Sequence, residues 1–385
     1  MKYTQPPGAA ENASYVGRNV AAGQSTGSKV APQAVEHPQR EIVAAIARAG
    51  LTPSAGDLTQ LGQASKILAQ QALDRIQIPS VLPSTDIMFR PGASLGGATF
   101  NRNSVATYFD ALGALQTAAN NVPRYTFDPA TGVSRGLLLE NSFTNYLLNS
   151  ATPATQTVTL AAGTYCLWIV GTGSATLSGG ATGVATQAAP FIFTLAASNS
   201  VVVTVAGGVT RFQLENGSYP TSFIATTTAA ATRLVDLFSE TATWWNPVEG
   251  AFYLSFFYDG LALGSRVFSM SDGTVTNSFD LTRIGGAALG LNLTLAGATV
   301  FDSTPSVVLT AGVNRMVVSY GPAETYLALN GALISAAPAS PSLAALTTFK
   351  FARANNGQQP NVGILRRAYF PRALTQDVAK RMTLA

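Results

Sequence analysis

Three carboxylates in the last third of the chain, Asp259, Asp272 and Asp280, are of the type that hydrolytic chemistry uses. Glycoside hydrolysis holds two carboxyl groups across the scissile bond, about 5–9.5 Å apart. Each of these aspartates also stands beside a turn or a strand end, where aspartate is ordinary, and the turn reading is preferred. Asp272, Asn277 and Asp280 offer the oxygen ligands that Ca²⁺ takes, at a spacing that is not diagnostic. His37 is the single histidine of the chain, which excludes a histidine-based triad or a multi-histidine metal cage within one copy. Cys166 is the single cysteine and sits in the apolar run Tyr165–Val170, so it reads as a small buried hydrophobe. No disulfide framework or thiolate metal site follows from it. Glycine-rich stretches such as GTGSATLSGG do not lead from a strand into a helix and read as turns, not phosphate cradles. No catalytic residue and no cofactor is assigned.

Aromatic and paired charged residues offer binding chemistry instead. Trp244 and Trp245 precede an Asn-Pro turn, and Phe252, Tyr253, Phe256 and Phe257 follow on one strand pattern. Alternation along a strand sends Phe252, Leu254 and Phe256 one way, Tyr253 and Phe257 the other. One set forms core; the other packs on a neighbouring subunit, covers a second layer or meets a ligand. Trp244, Trp245, Tyr253 and Phe257 are therefore the candidate glycan or subunit contacts. Arg124 and Arg135 stand against Asp128 and Glu140, best read as structural ion pairs latching a linker to a sandwich; Arg211 with Glu215 reads the same way.

These residues need a scaffold, and composition indicates which. The 385 residues are 47% hydrophobic but only 11% charged, rich in Gly, Ala, Thr and Ser. That mixture suits β structure with tight turns. A net charge of +4, with no basic cluster beyond Arg366–Arg367, argues against nucleic-acid binding. No apolar run reaches membrane-spanning length, and the first residues lack the apolar core of a signal peptide, so assembly in a cytoplasm is expected.

The fold class expected is mainly β: a short N-terminal helical region followed by two antiparallel, jelly-roll-like β-sandwiches. Residues 1–35 read as an extended arm. Residues 36–78 read as a helical hairpin with Pro38 in a first turn, Gly50 as a stop and Asp57 as a cap. Its second helix carries a stripe of Leu58, Leu61, Ser65, Leu68, Ala72 and Ile76. A hairpin of this size buries too little to stand alone, so self-association is expected, a trimer in preference to a dimer. Residues 79–150 read as a linker and connective β region, with opposite charges and turn residues at short intervals. Residues 151–233 hold six candidate strands, among them TYCLWIV and VVVTV, in a small sandwich. Residues 234–385 hold ten more in a larger one, with TYLALNGALI a hairpin turning at Asn330–Gly331. No βαβ spacing occurs, which speaks against an α/β enzyme.

The stretch VEHPQREIVAAIARAGLTPSAGDLTQLGQA resembles the start of many tailed-bacteriophage fibre and spike proteins, where the beginning of the chain is the end fixed to the virion. Arg102 with Ser104 and Ala106–Tyr108, Asn121–Arg124, Gly136–Glu140, and Asn145 with Leu147–Leu148 resemble a region of phage head-spike and tail-fibre proteins. The closing GILRRAYFPRALTQDV is similar to that of concanavalin- or laminin-G-like sandwiches. This resemblance implies a structural virion protein, displayed as a short fibre or spike on the particle surface, homotrimeric, bound to other virion proteins through its N-terminal region and touching a bacterial surface glycan. The chain lacks the repetitive shaft of long fibres, which suits a short appendage and leaves an adaptor for another fibre as an alternative; a glycan-depolymerising tailspike is a separate alternative that needs two carboxylates in an exposed groove.

Overall fold

A computed structural model describes residues 32–54, 56–57, 59–73, 82–258, 266–284, 288–302, 309–337, 343–351 and 361–384. Nearly all of the expected arm, the chain from 74 to 81, and Asp259 lie outside them. The chain forms two compact units, residues 1–71 and 72–385.

The first unit is a helical hairpin. Helix α1 runs Pro32–Arg48 and α2 runs Gln60–Leu73. Pro38 lies inside α1, not in its first turn, because Pro32 already occupies the start. Gly50, at φ 84°, ends the helix: the Gly50 N–H bonds to the Ala47 carbonyl and the Leu51 N–H to that of Ile46. Asp57 accepts from both the N–H and the hydroxyl of Thr59, just ahead of α2. The buried positions are Ile46, Ala49, Gln60, Ala64 and Ile67, whereas Leu61 and Ser65 of the expected stripe are exposed. Gln60 displaces that stripe by tying the loop: its carboxamide accepts from the Ser54 N–H and donates to the Thr52 carbonyl.

The second unit holds two antiparallel sandwiches. In the larger, an eight-stranded sheet containing Gly250–Tyr258, Gly312–Tyr320 and Val362–Phe370 faces a seven-stranded sheet containing Leu237–Thr241, Arg266–Ser271 and Thr348–Phe351. Phe252, Leu254, Phe256, Phe268, Phe279, Phe349 and Tyr369 fill the space between. The opposite face of Gly250–Tyr258 carries Ala251 and Tyr253, which pack with Tyr326, Phe370 and Leu374 beside helix α3, Gln376–Met382. Asn330 and Gly331, at φ 47° and 84°, make the expected hairpin turn between Thr325–Leu329 and Ala332–Ala337.

The smaller sandwich stacks a four-stranded sheet on a five-stranded one around Leu160, Leu167, Ile169, Val201, Val203, Phe212 and Leu214. All six expected strands are present within two residues at either end. Cys166 is buried, as expected, on the face of its strand opposite that core, and burial, with Glu215 second, pushes its thiol up to about 12.

The stretch expected to be a linker and connective region at 79–150 is woven into both sandwiches. Thr85–Met88 and Ser134–Leu139 each pair with Val362–Phe370, Thr99–Asn101 pairs with Leu237–Thr241, and Phe143–Asn145 joins the sheet of the small sandwich. Pro83, two residues before Thr85, does not bar an edge strand.

Candidate functional site

The residues that join the sandwiches are charged and buried. Arg102, Arg124 and Arg233 meet Glu140, Glu215 and Asp236, and each of the six is at most 1% exposed. Arg102 and Arg124 take one oxygen each of Asp236, Arg102 at 3.0 Å. Arg124 and Arg233 share Glu140 Oε2, at 2.7 and 3.1 Å. Further donors go to backbone: Arg102 donates to the carbonyls of Ser104, Ala119 and Val122, Arg124 to that of Thr107, and Arg233 to that of Asn141, while the Nε atoms of Arg124 and Arg233 have no hydrogen-bond partner. Three arginines and three carboxyl groups therefore meet, and the carbonyls that receive the arginines all come from the 104–141 stretch.

Local chemistry sets the two glutamates apart. Burial alone would raise Glu140, but Arg233 and Arg124, with the Ser222 hydroxyl and N–H, outweigh it and hold its carboxyl down at about 2. Burial dominates at Glu215 and pushes it up; it accepts from the Thr221 N–H and hydroxyl and from Trp168 Nε1. Asn145 completes the seam, donating to the Ile224 carbonyl and accepting from the N–H groups of Leu147 and Leu214.

The expected ion pairs thus divide. Arg124 and Glu140 belong to this buried knot, while Arg135 and Asp128 form a separate, half-buried pair at 2.8 Å. Glu215 is not placed by Arg211, which lies over the Phe223 ring at 5.8 Å. Asp236 and Arg233 were missed in the sequence because neither lies in a motif and their partners are about 90 to 130 residues away.

A cavity of about 170 Å³ opens beside the knot, lined by Tyr108, Phe109, Phe223, Phe257, Arg135 and Asn361 among others. Arg135 lies over the Phe257 ring at 4.5 Å. Of the other expected aromatic contacts, Tyr253 is buried and Trp244 and Trp245 are half-buried. Tyr253 is buried beneath α3, and Trp245 stacks on Tyr320 at 4.6 Å and Phe252 at 5.2 Å. Trp244 packs on Phe252, Phe349 and Tyr369, and its Nε1–H donates to Glu240 at 2.7 Å. Their sequence pattern is that of a stacking platform, but the large sandwich uses them to seal one end of its core.

Of the three candidate carboxylates, Asp272 and Asp280 are among the described residues. Asp272 accepts from Thr274 and from the Asn277 carboxamide at the tip of a hairpin, while Asp280 is buried and pairs with Arg266 at 3.2 Å. Among the described residues no three acidic, histidine or cysteine side chains converge as metal ligands.

No family model matches the chain, and no curated protein matches it. Among solved structures, it is similar over 37% of its length to 87% of the CBM40 of an IT-sialidase from Ruminococcus gnavus, at 17% identity and a TM-score of 0.33. It is similar over 44% of its length to 83% of domain 4 of AbnA, a GH43 arabinanase of Geobacillus stearothermophilus solved with arabinotriose, at 12% identity and a TM-score of 0.35. It also matches 26% of the NanB sialidase of Streptococcus pneumoniae, a quarter of that protein, over 38% of its own length, at 13% identity and a TM-score of 0.33. At these scores no likeness bears on what this chain binds.

Proposed function

We propose that this chain is a structural virion protein of a tailed bacteriophage, a short fibre or spike whose two-sandwich body is displayed from the particle and takes part in attachment to a glycan of the host surface. One observation carries the reading. The residues that resemble the phage appendage region are those of the seam: Arg102 and Arg124 grip Asp236, Ser104 accepts from Arg102 and Leu234, Glu140 joins Arg124 to Arg233, and Asn145 ties the small sandwich. A motif spent on joining domains, with its charges neutralised internally, suits a protein that acts by rigid display. The helical front, with Ile42, Val43 and Leu61 exposed in one copy, is the part that would associate with further copies and with other virion proteins.

Antibody raised against the purified chain should label particles from a producing culture at a fixed position by electron microscopy. Native mass measurement of the released protein should give three chains. The reading fails if the chain is confined to the soluble fraction of a lysate whose particles carry none of it.

A further inference from the structure

The cavity of about 170 Å³ beside the knot is bordered by three pieces of the second unit. The first is the outer face of the large sandwich. Phe257, Gly363 and Leu138 stand opposite one another across three paired strands. Their neighbours Phe256, Ile364, Leu137 and Leu139 fill the core, so alternation turns Phe257 and Leu138 outward. Asn361, just before the core residue Val362, and Thr126, opposite Gly136, share that outward face. The second piece is the hairpin of Ala106–Phe109 and Leu115–Ala118, in which Phe109 stands opposite Leu115. The third is the strap 220–223, fixed to the hairpin by the Thr107 hydroxyl, which donates to the Phe223 carbonyl at 2.6 Å.

The walls are apolar, and the polar groups set among them are under-used. Asn361 is 7% exposed, and its one hydrogen bond among the described residues runs from Nδ2 to the Pro220 carbonyl at 3.5 Å, the outer limit for such a bond. Its carboxamide oxygen and second N–H are left over. Thr126 is as deeply buried; its hydroxyl accepts from the Phe109 N–H at 3.3 Å and donates to no described residue. Buried polar groups in folded proteins are bonded, so these two point to a molecule that enters the cavity. Water would serve the carboxamide but gains nothing from Phe109, Leu115, Leu138 and Phe257.

Charge and size narrow the choice. Arg135 and Glu140 are the charged residues lining the cavity, and each already sits in an ion pair: Arg135 with Asp128 at 2.8 Å, Glu140 with Arg124 at 2.7 Å and Arg233 at 3.1 Å. No charge of the lining is left uncompensated, which favours a neutral ligand. A volume of 170 Å³ is that of about six waters, room for one ring and not for a chain.

We propose that this cavity binds a single neutral sugar residue, the end of a glycan chain, with its C–H face against the apolar walls and its hydroxyls bonded to the Asn361 carboxamide and the Thr126 hydroxyl. Phe257, one of the four aromatic residues that the sequence offers as glycan contacts, stands at this site. The proposal deepens the attachment reading and rests on it only for the source of the sugar.

The test titrates the purified full chain with glucose, galactose, mannose, rhamnose and N-acetylglucosamine, read by saturation-transfer NMR, with phenol and indole as stand-ins for an apolar side chain. At least one sugar should bind in the millimolar range. Asn361→Ala should weaken it about tenfold, the loss of the hydrogen bonds of one carboxamide. Because Asn361 also touches Pro220, a second variant, Leu115→Trp, fills the cavity from a half-buried position on the hairpin and should abolish binding while nearly keeping the melting temperature. Failure of every sugar overturns the proposal, and so does an affinity that either variant leaves unchanged. Phenol or indole bound where no sugar binds also overturns it, and marks the cavity as the seat of a partner's apolar side chain. Sugar bound here by a chain that is missing from particles removes the virion reading alone. A chain carried on particles that binds none of the sugars removes this proposal alone.

Discussion

Glu140 and Glu215 sit in one buried knot and should answer to substitution and to acid in opposite ways. Glu140 keeps two arginines paired, so E140Q leaves buried positive charge uncompensated and should cost about 3–5 kcal/mol by urea denaturation at neutral pH. Glu215 is held by hydroxyl, amide and indole donors and makes no ion pair with an arginine, and burial pushes its carboxyl up, so E215Q should cost about 1 kcal/mol or less. The pH dependence separates them further. The folded Glu140 carboxyl titrates at about 2 against an ordinary 4.5, so its stabilisation is complete above about pH 4.5 and is lost as pH falls toward 2. Glu215 is raised, so its contribution is present below the unfolded value and lost as pH rises through the folded one. Stability measured from pH 2 to 7 should therefore show a flatter acid limb in E140Q and a steeper one in E215Q than in the unaltered chain. Equal acid limbs in all three proteins would mean that the knot is not the seat of acid sensitivity.

Between strands, the tightest approach in the connective segment is made by glycine. Gly136, at φ 81°, lies where a Cβ would come within 2.1 Å of the Ile364 carbonyl oxygen, and a Cβ on Gly363 would meet that of Arg135 at 1.8 Å. These contacts let Ser134–Leu139 lie against Val362–Phe370, the step that brings residues 134–139 into the large sandwich. Gly136→Ala combines backbone strain with collision against a carbonyl and should cost about 3 kcal/mol or more. Gly331→Ala, also at positive φ, collides only with the flexible end of Leu384 and should cost about 1 kcal/mol. Thermal unfolding of the two variants checks the order, and limited proteolysis should cut G136A first between residues 103 and 150. Much at this scale was legible in the sequence. Phe191–Leu195, Gly250–Tyr258, Arg266–Ser271 and the Asn330–Gly331 hairpin follow from alternation and turn residues, which are local signals. Leu237–Thr241, with two apolar residues in five, was not legible, because what makes it a strand is pairing with Thr99–Asn101 and Thr348–Phe351 on either side. The same holds for the buried charges. The Arg124–Glu140 pair was visible as opposite charge in a polar stretch. Glu240 and Arg367, 127 residues apart, become a pair only when two sheets close on each other.

At the scale of the whole molecule, stability is divided unequally between the two units. The apolar clusters of both sandwiches, the knot and the layer beneath α3 lie entirely within residues 82–384. The first unit buries Ile46, Ala49, Ala64 and Ile67 while exposing Ile42, Val43 and Leu61, too little apolar surface for independent folding and a face left over for association. A fragment of residues 82–385 should therefore melt cooperatively within a few degrees of the full chain and run as a single copy. A fragment of residues 1–81 should show no cooperative melting at low concentration and gain helix as concentration rises. Replacing Ile42, Val43 and Leu61 together with glutamine removes the exposed apolar face without touching the buried one. On the proposed trimeric reading, analytical ultracentrifugation of the full chain carrying those changes should give the monomer mass where the unaltered chain gives three copies, with the sandwiches intact by circular dichroism. If the altered chain keeps its oligomeric mass, association runs through the sandwiches, and the helical front is left with attachment to other proteins as its role.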